Sequence, residues 1–534
     1  MGGSNPIAVV DLFAGPGGLG EGFSALKIHG RGRPFRIAVS VEKEPHAHRT
    51  LRLRSFFRFY DASGRSVPKA YTQVLRGEIS PEELESKCQT AWSHAEAEAF
   101  RGELGIQGDD ERLDAILESK KLHKDKTPVV LIGGPPCQAY SLVGRARNRG
   151  IASYRPENDN RHHLYQEYLR VLSRVWPVAF VMENVKGILS SSVGDRRIFP
   201  RILDDLHDPG AAIGEISRPN PSRTYRLLPL VWNDVSESRL FQVDTSDPKS
   251  FLIRCENHGV PQRRHRVFIV GLRNDIACDL PRLRSAQAQV TVRDAIQGLP
   301  RLGPGLSKRS GSRKSVQSVL REEMSSKLVA EIRRMHGVEI AERCESIRDR
   351  MECVDMSTGG EFVPSDSVRS ENPELDAWYG GSDLGGVCNH AAKSHMPSDL
   401  ARYLFCSSFG ETFGRSPKLE DFPDALLPNH MNARPGDGSE AIFSDRFKVQ
   451  LWDQPSATVT SHLAKDGHYF IHPDPSQCRS FTVREAARVQ TFPDNYFFCG
   501  PRTAQYQQVG NAVPPLIAKR IAQCVFEGLK AAGL

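Results

Sequence analysis

Five short, continuous apolar runs rich in Val and Ile constrain this chain more than any other feature. They are residues 7–13 (IAVVDLF), 37–41 (IAVSV), 129–132 (VVLI), 178–182 (VAFVM) and 266–271 (RVFIVG). A strand with one wet face alternates apolar and polar residues, so uninterrupted runs predict strands buried on both faces of a parallel sheet. Between them, residues 161–175 place Leu164, Tyr168, Leu169, Leu172 and Val175 on one face of a predicted helix. That alternation indicates an α/β layer architecture. Beyond about residue 300 it gives way to sequence such as GLSKRSGSRKSVQS and does not return before about 480. The expected organisation is an α/β domain over 1–300, an inserted domain over 301–480, and a return to the first domain over 481–534.

A chain of 534 residues, 39% apolar before its 44 glycines are counted, can bury a sizeable core. Mean hydropathy is −0.42, and no apolar run approaches the roughly 18–20 residues of a membrane span. The N-terminal MGGSNPIAVVDLF lacks a basic segment before its apolar run, so it reads as a strand rather than a signal peptide, and a cytoplasmic location without membrane attachment is expected. The eleven cysteines are scattered and never spaced as CxxC, which argues against a disulfide framework. Cys388, His390, His395 and Cys406 cluster loosely in a spacing that fits no standard zinc pattern, and no metal site is expected. The net charge of +7 is mild, but residues 301–337 hold nine Lys/Arg against three Glu. A polyanionic partner would find its counter-charge there.

The first run leads into Asp11-Leu-Phe-Ala-Gly-Pro-Gly-Gly-Leu-Gly20, where Gly15, Gly17 and Gly20 form G-x-G-x-x-G, and Glu42 ends the next predicted strand. Such glycines allow close backbone approach to a nucleotide, and the acid suits ribose hydroxyls. A dinucleotide and S-adenosylmethionine both satisfy this pattern.

Cys137 follows another buried-type strand within Ile132-Gly-Gly-Pro-Pro-Cys-Gln-Ala-Tyr-Ser141, on a Gly/Pro loop at the carboxyl edge of the sheet. A lone cysteine is more often a small core residue, but two preceding prolines and following polar residues place this one at a cleft. Glu183-Asn-Val185 ends the AFVM strand at the same edge, and Gln262-Arg-Arg-His-Arg266 precedes VFIVG. Singly, these are a solvated acid and a surface basic cluster.

Together and in this order, the motifs resemble those of the DNA (cytosine-5)-methyltransferases of bacterial type, over roughly the first 275 and last 60 residues. DLFAGPGGLGEGF is similar to the cofactor loop, and GGPPCQAYS to the nucleophile loop, with Tyr140 where Phe is commoner. ENV and QRRHR match the next two catalytic elements. REAARVQTFP (484–493) and QVGNAVPP (508–515) resemble the elements that frame the recognition region and return beside the cofactor. The stretch 60–127 is longer than the resemblance leads one to expect. The acid that meets the adenine amino group has no clear match; Asp109 and Asp110 are the candidates.

The resemblance implies a Rossmann-like, S-adenosylmethionine-dependent sheet with an inserted target-recognition domain. It implies a site-specific DNA cytosine-5 methyltransferase, producing S-adenosylhomocysteine through a covalent adduct of Cys137 with a flipped cytosine. Cys137, Glu183, Arg264 and Arg266 are then catalytic: thiolate nucleophile, proton-holding partner of cytosine N3, and two cations for the base O2, nearby phosphate and the thiolate loop. Asp11, Phe13, Ala14, Gly15, Gly17, Gly18, Leu19, Glu42, Pro135, Asn511, Ala512 and Val513 are expected at the cofactor. Gln138, Ser141, Arg145, Arg147, Gln262, Lys308, Arg309, Arg313 and Lys314 are expected on double-stranded DNA. The basic, glycine-bearing stretch 141–160 reads as a loop able to close over DNA. A monomer is expected, nucleoid-associated when on DNA, with a cognate restriction endonuclease or other phage-defence protein as the conceivable companion. An RNA methyltransferase is disfavoured by the large basic insert, and a catalytically dead binding protein by intact Cys137, Glu183 and Arg266. A nicotinamide dehydrogenase requires reading the glycine loop in isolation.

Overall fold

The computed structural model describes residues 5–122, 128–136, 161–193, 196–214, 223–231, 247–307, 315–350, 356–380, 384–428, 446–465 and 467–534. Its centre is a mixed sheet of β1 (Ile7–Leu12), β2 (Phe35–Glu42), β3 (Ala99–Arg101), β4 (Val129–Gly133), β5 (Ala179–Val185), β6 (Tyr225–Leu228), β7 (Leu252–Arg254) and β8 (His265–Arg273). The order is β3-β2-β1-β4-β5-β8-β6, with β7 also on β8. β1 to β5 run parallel, whereas β8 lies antiparallel to β5, with Arg266 opposite Val185 and Phe268 opposite Glu183. The apolar run at 266–271 therefore marks burial on both faces rather than strand direction.

Alternate strand residues feed two cores. On one face Val9, Ile37, Val130, Val181 and Val270 pack with Leu19 and Phe23 of α1 (Gly18–Ala25) and with Ile517, Ile521 and Val525 of a C-terminal helix. On the other, Val10, Val39, Leu131, Phe180 and Ile269 pack with Leu113 and Leu117 of Gln107–Ser119 and with Tyr168, Leu169 and Leu172. The last three belong to Arg161–Val175, the helix expected from its apolar face. The C-terminal helix, Pro515–Ala531, crosses α1 closely: a Cβ on Gly18 would lie 2.2 Å from the Val513 carbonyl oxygen, and one on Gly22 would lie 2.4 Å from Ala518 Cβ.

After residue 300, Val316–Glu323, Ser326–His336, Val338–Arg350 and Pro397–Phe413 form a helical cluster around Leu320, Ile332, Ile340, Leu404 and Phe409. A hairpin, β9 (Gly359–Pro364) with β10 (Gly386–Ala391), lies between them in sequence. The long stretch after α2 (Pro45–Ala62) is helical: Lys69–Leu75, Pro81–Lys87 and Gln89–Glu98 pack Tyr71, Leu75 and Trp92 against Leu384 and Cys388. It thus buttresses the hairpin. Among the described residues, no helix is long and apolar enough to cross a membrane.

Candidate active site

The order of β1 to β5 reverses between β1 and β4, and ligands bind beyond the carboxyl ends of strands at such a switch point. There a cavity of about 1660 Å³ opens, floored by the loops that follow β1, β2, β3, β4 and β5. After β1 the chain turns sharply through Phe13 and Gly15, both at positive φ (55° and 58°), before α1 begins. A bulky residue such as Phe13 in this left-handed region is strained, and such strain persists where the surroundings hold it. Asp11, Phe13, Ala14, Gly15, Gly18 and Leu19 line the cavity, whereas Gly17 does not. Gly17 instead faces Leu51 and Tyr496, which a Cβ would meet at 2.7 and 2.9 Å.

Glu42 Oε2 accepts a 2.8 Å hydrogen bond from Gly15 N–H, and its other oxygen accepts one from Glu44 N–H. The acid is thereby fixed at the lip of the glycine loop, and burial raises its pKa. Asp11 is wholly buried beside the backbone of Gly20, and burial pushes its pKa up to about 8. Pro135, Asn511, Ala512 and Val513 complete this half of the wall.

The loop after β3 carries a residue that sequence reading missed. Asp109 and Asp110 cap it, accepting from Glu103 N–H (2.8 Å) and Gly105 N–H (3.1 Å), while Glu103 itself lines the cavity. β3 is only three residues long; a strand so short leaves no run in the sequence to flag the acid that follows it.

On the other half, Glu183 Oε1 lies 2.9 Å from Arg266 Nε. Desolvation outweighs the attraction of Arg266 and Arg264, so the Glu183 pKa is raised. A Cβ at residue 134 would come within 2.9 Å of Glu183 Oε2, so the glycine leaves room for that carboxylate in its present position. Asn184 Nδ2 donates to the Pro135 carbonyl at 3.2 Å, tying the end of β5 to the loop that enters Cys137. Cys137, with Gln138, Ser141, Arg145 and Arg147, lies outside the described residues, as do Lys308, Arg309, Arg313 and Lys314.

Two expectations are corrected. Arg264 is fully buried and donates to the carbonyls of Val459 (2.7 Å), Gly510 (3.1 Å) and Ala512 (2.8 Å). Burial, with the like charge of Arg266 beside it, outweighs the attraction of Glu183 and lowers its pKa to about 9. It holds the cavity wall from behind and is not among the lining residues. Gln262, expected on DNA, is wholly buried: its amide donates to Gln490 Oε1 and its oxygen accepts from Val459 N–H. Both residues lie in the segment just before β8, where 262 and 264 are buried while Arg263, His265 and Arg266 line the cavity.

The rim is basic. Lys186, Arg197, Lys249, Arg254 and Arg263 are exposed along one side of the cavity. Among the described residues, none of the first four has a carboxylate partner.

A Rossmann-like sheet whose switch-point cavity joins a glycine loop to a glutamate–arginine pair is the framework of a methyltransferase. The family model for C-5 cytosine-specific DNA methylase matches residues 106–211 and 247–527. The chain is 32% identical over 537 aligned residues to type II methyltransferase M.Bpa9945I of Bacillus paralicheniformis, covering 97% of this chain and 98% of that one. It is 27% identical to type II methyltransferase M.AgeI of Thalassovita gelatinovora (74% and 82% covered). It is 25% identical to DNA (cytosine-5-)-methyltransferase M.ApeKI of Aeropyrum pernix (75% and 82% covered). The chain belongs to the C-5 cytosine-specific DNA methylase family and is a DNA cytosine-5-methyltransferase.

Proposed function

We propose that this enzyme methylates a cytosine flipped out of double-stranded DNA, through a covalent Cys137 adduct, with S-adenosylmethionine as donor. The observation that carries the reading is the convergence of Glu42, Glu183 and Arg266 on one cavity, whose wall leads directly into Cys137 in sequence. The cofactor half fits the donor: Glu42 suits ribose hydroxyls, Glu103 the adenine amino group, and the Asp11 carboxyl in the cavity wall a cationic or N–H-bearing group. When bound, S-adenosylmethionine supplies an electrophilic methyl group.

Cytosine C5 is a poor nucleophile until a thiolate adds at C6. Cys137 provides that thiolate. Addition puts negative charge on the ring, and Glu183, whose raised pKa favours its protonated form, holds a proton at N3. Arg266 pairs with Glu183 and turns it toward the cavity. After methyl transfer the C5 proton is lost and the Cys137 bond breaks by elimination. A stacked cytosine cannot reach such a pocket, so the base must be flipped. The exposed cations of the rim suit the flanking phosphates. We assign catalysis to residues 1–300 and 481–534 and sequence reading to the insert over 301–480.

The test uses duplex DNA with 5-fluorocytosine at the target, where fluorine cannot leave as a cation. An adduct that survives denaturing gels and requires S-adenosylmethionine is expected. Cys137→Ser should abolish it, and Glu183→Gln should slow its formation while leaving DNA affinity intact. Undiminished adduct from Cys137→Ser would sink the mechanism.

A further inference from the structure

The proline of the glycine loop is tied to a residue 480 positions away. Tyr496, fully buried, donates its hydroxyl to the Pro16 carbonyl, and Pro16 lines the cofactor cavity. The same hydroxyl lies 2.9 Å from where a Cβ on Gly17 would fall. Tyr496 is itself fixed from below: the Arg54 guanidinium stacks over its ring at 4.8 Å, binds Glu21 of α1, and donates to Asn495 Oδ1 at 2.9 Å.

From Tyr496 the ties continue into the insert. Arg484 donates to the Tyr496 carbonyl and, through Nε, to the Cys388 carbonyl of β10 at 2.9 Å. Beside it, Asn389 exchanges two hydrogen bonds with the Phe498 backbone, at 2.9 and 3.2 Å. A continuous line of buried polar contacts thus runs from the cofactor loop to the β9–β10 hairpin of the insert.

We propose that Tyr496 is a positioning residue that sets the cofactor loop and, through Arg484, couples cofactor binding to the insert's hold on DNA. The inference rests on reading the glycine loop as the S-adenosylmethionine site. Physically, removing the hydroxyl leaves the buried Pro16 carbonyl without a donor, so the loop must shift to satisfy it. That shift falls on the atoms facing the cofactor. Coupling between two binding sites is reciprocal, so if the line through Tyr496 and Arg484 carries it, cutting that line reduces the effect of the cofactor on DNA affinity.

Tyr496→Phe is compared with Tyr225→Phe, which deletes an equally buried hydroxyl that donates to the Pro177 carbonyl at the far side of the sheet. Calorimetry measures S-adenosylhomocysteine binding, and DNA affinity is read with and without saturating S-adenosylhomocysteine. Urea midpoints show how much of each variant is folded. Tyr496→Phe should weaken S-adenosylhomocysteine on the order of tenfold and raise KM for S-adenosylmethionine more than it lowers kcat. DNA affinity without S-adenosylhomocysteine should stay unchanged; in the wild type, saturating S-adenosylhomocysteine should tighten DNA binding, as the proposed coupling requires, and in Tyr496→Phe that tightening should shrink. Tyr225→Phe should lower the urea midpoint only. The inference fails if Tyr496→Phe retains both affinity and tightening, or if Tyr225→Phe loses as much of both at matched stability. If the wild type itself binds no S-adenosylhomocysteine, the site reading fails and takes this inference with it.

Discussion

Asp11 sits in an environment far from that of its free chemistry. A carboxyl with an ordinary pKa near 3.9 is held at about 8 by burial near the end of β1. Between those values the folded state carries a proton that the unfolded state lacks, so stability falls as pH rises through this window. The stabilisation from protonated Asp11 is complete below the unfolded pKa and gone above about 8. Asp11→Asn should therefore flatten the loss of stability between about pH 5 and about pH 8 in cofactor-free protein, measured by urea unfolding at several pH values. A stability difference between variant and wild type that does not vary with pH would contradict this. Glu183 and Arg266 were legible in the sequence because ENV and QRRHR each end or begin a recognisable apolar run. Arg264 and Gln262 were not: residue identity says that a cation or amide is present, but only the fold of the segment before β8 says whether it meets ligand or carbonyl.

At the scale of elements, the contact between α1 and the C-terminal helix carries the glycine loop's position. Gly22 faces Ala518 Cβ and Lys519 N, each of which an added Cβ would meet at 2.4 Å. Helix propensity alone favours Ala over Gly by roughly 1 kcal/mol, so net destabilisation is the mark of the contact. Gly22→Ala is expected to cost about 1–3 kcal/mol through forced separation of the helices. Gly108→Ala, in a helix with nothing within 4 Å of the added carbon, should instead stabilise by about 1 kcal/mol. Denaturant titration of both variants checks the pair, and a stabilised Gly22→Ala would show that the helices can part freely. The strands β1, β2, β4, β5 and β8 were readable as apolar runs, since burial on both faces writes itself into composition. β3 was too short to leave such a run, and the direction of β8 leaves none at all. The helices Val316–Glu323 and Ser326–His336 were hidden because their apolar positions are interleaved with the Lys, Arg and Glu that mark 301–337 as basic.

For the whole molecule, the question is where the charge that holds DNA resides. The formal charge is only +7 over 534 residues, so non-specific attraction by the total is weak and local placement decides. Two candidates compete: the 301–337 segment, with Lys308, Arg309, Arg313 and Lys314, and the cavity rim, with Lys186, Arg197, Lys249 and Arg254. In the mechanism proposed above, the rim flanks the pocket that the flipped base enters, so phosphate contacts made there would belong to the nucleotides beside the target. Each cation removed from a phosphate lowers the slope of log affinity against log salt by about 0.9. Neutralising Lys249 and Arg254 together should therefore reduce that slope by about 1.8 and weaken target and non-target duplexes alike, because phosphates carry no sequence. Neutralising the four residues of the insert segment should reduce the slope by the number that touch DNA. Fluorescence anisotropy at several salt concentrations reads both. An unchanged slope after the Lys249 and Arg254 substitutions would place DNA away from the rim, and with it the entry of the flipped cytosine.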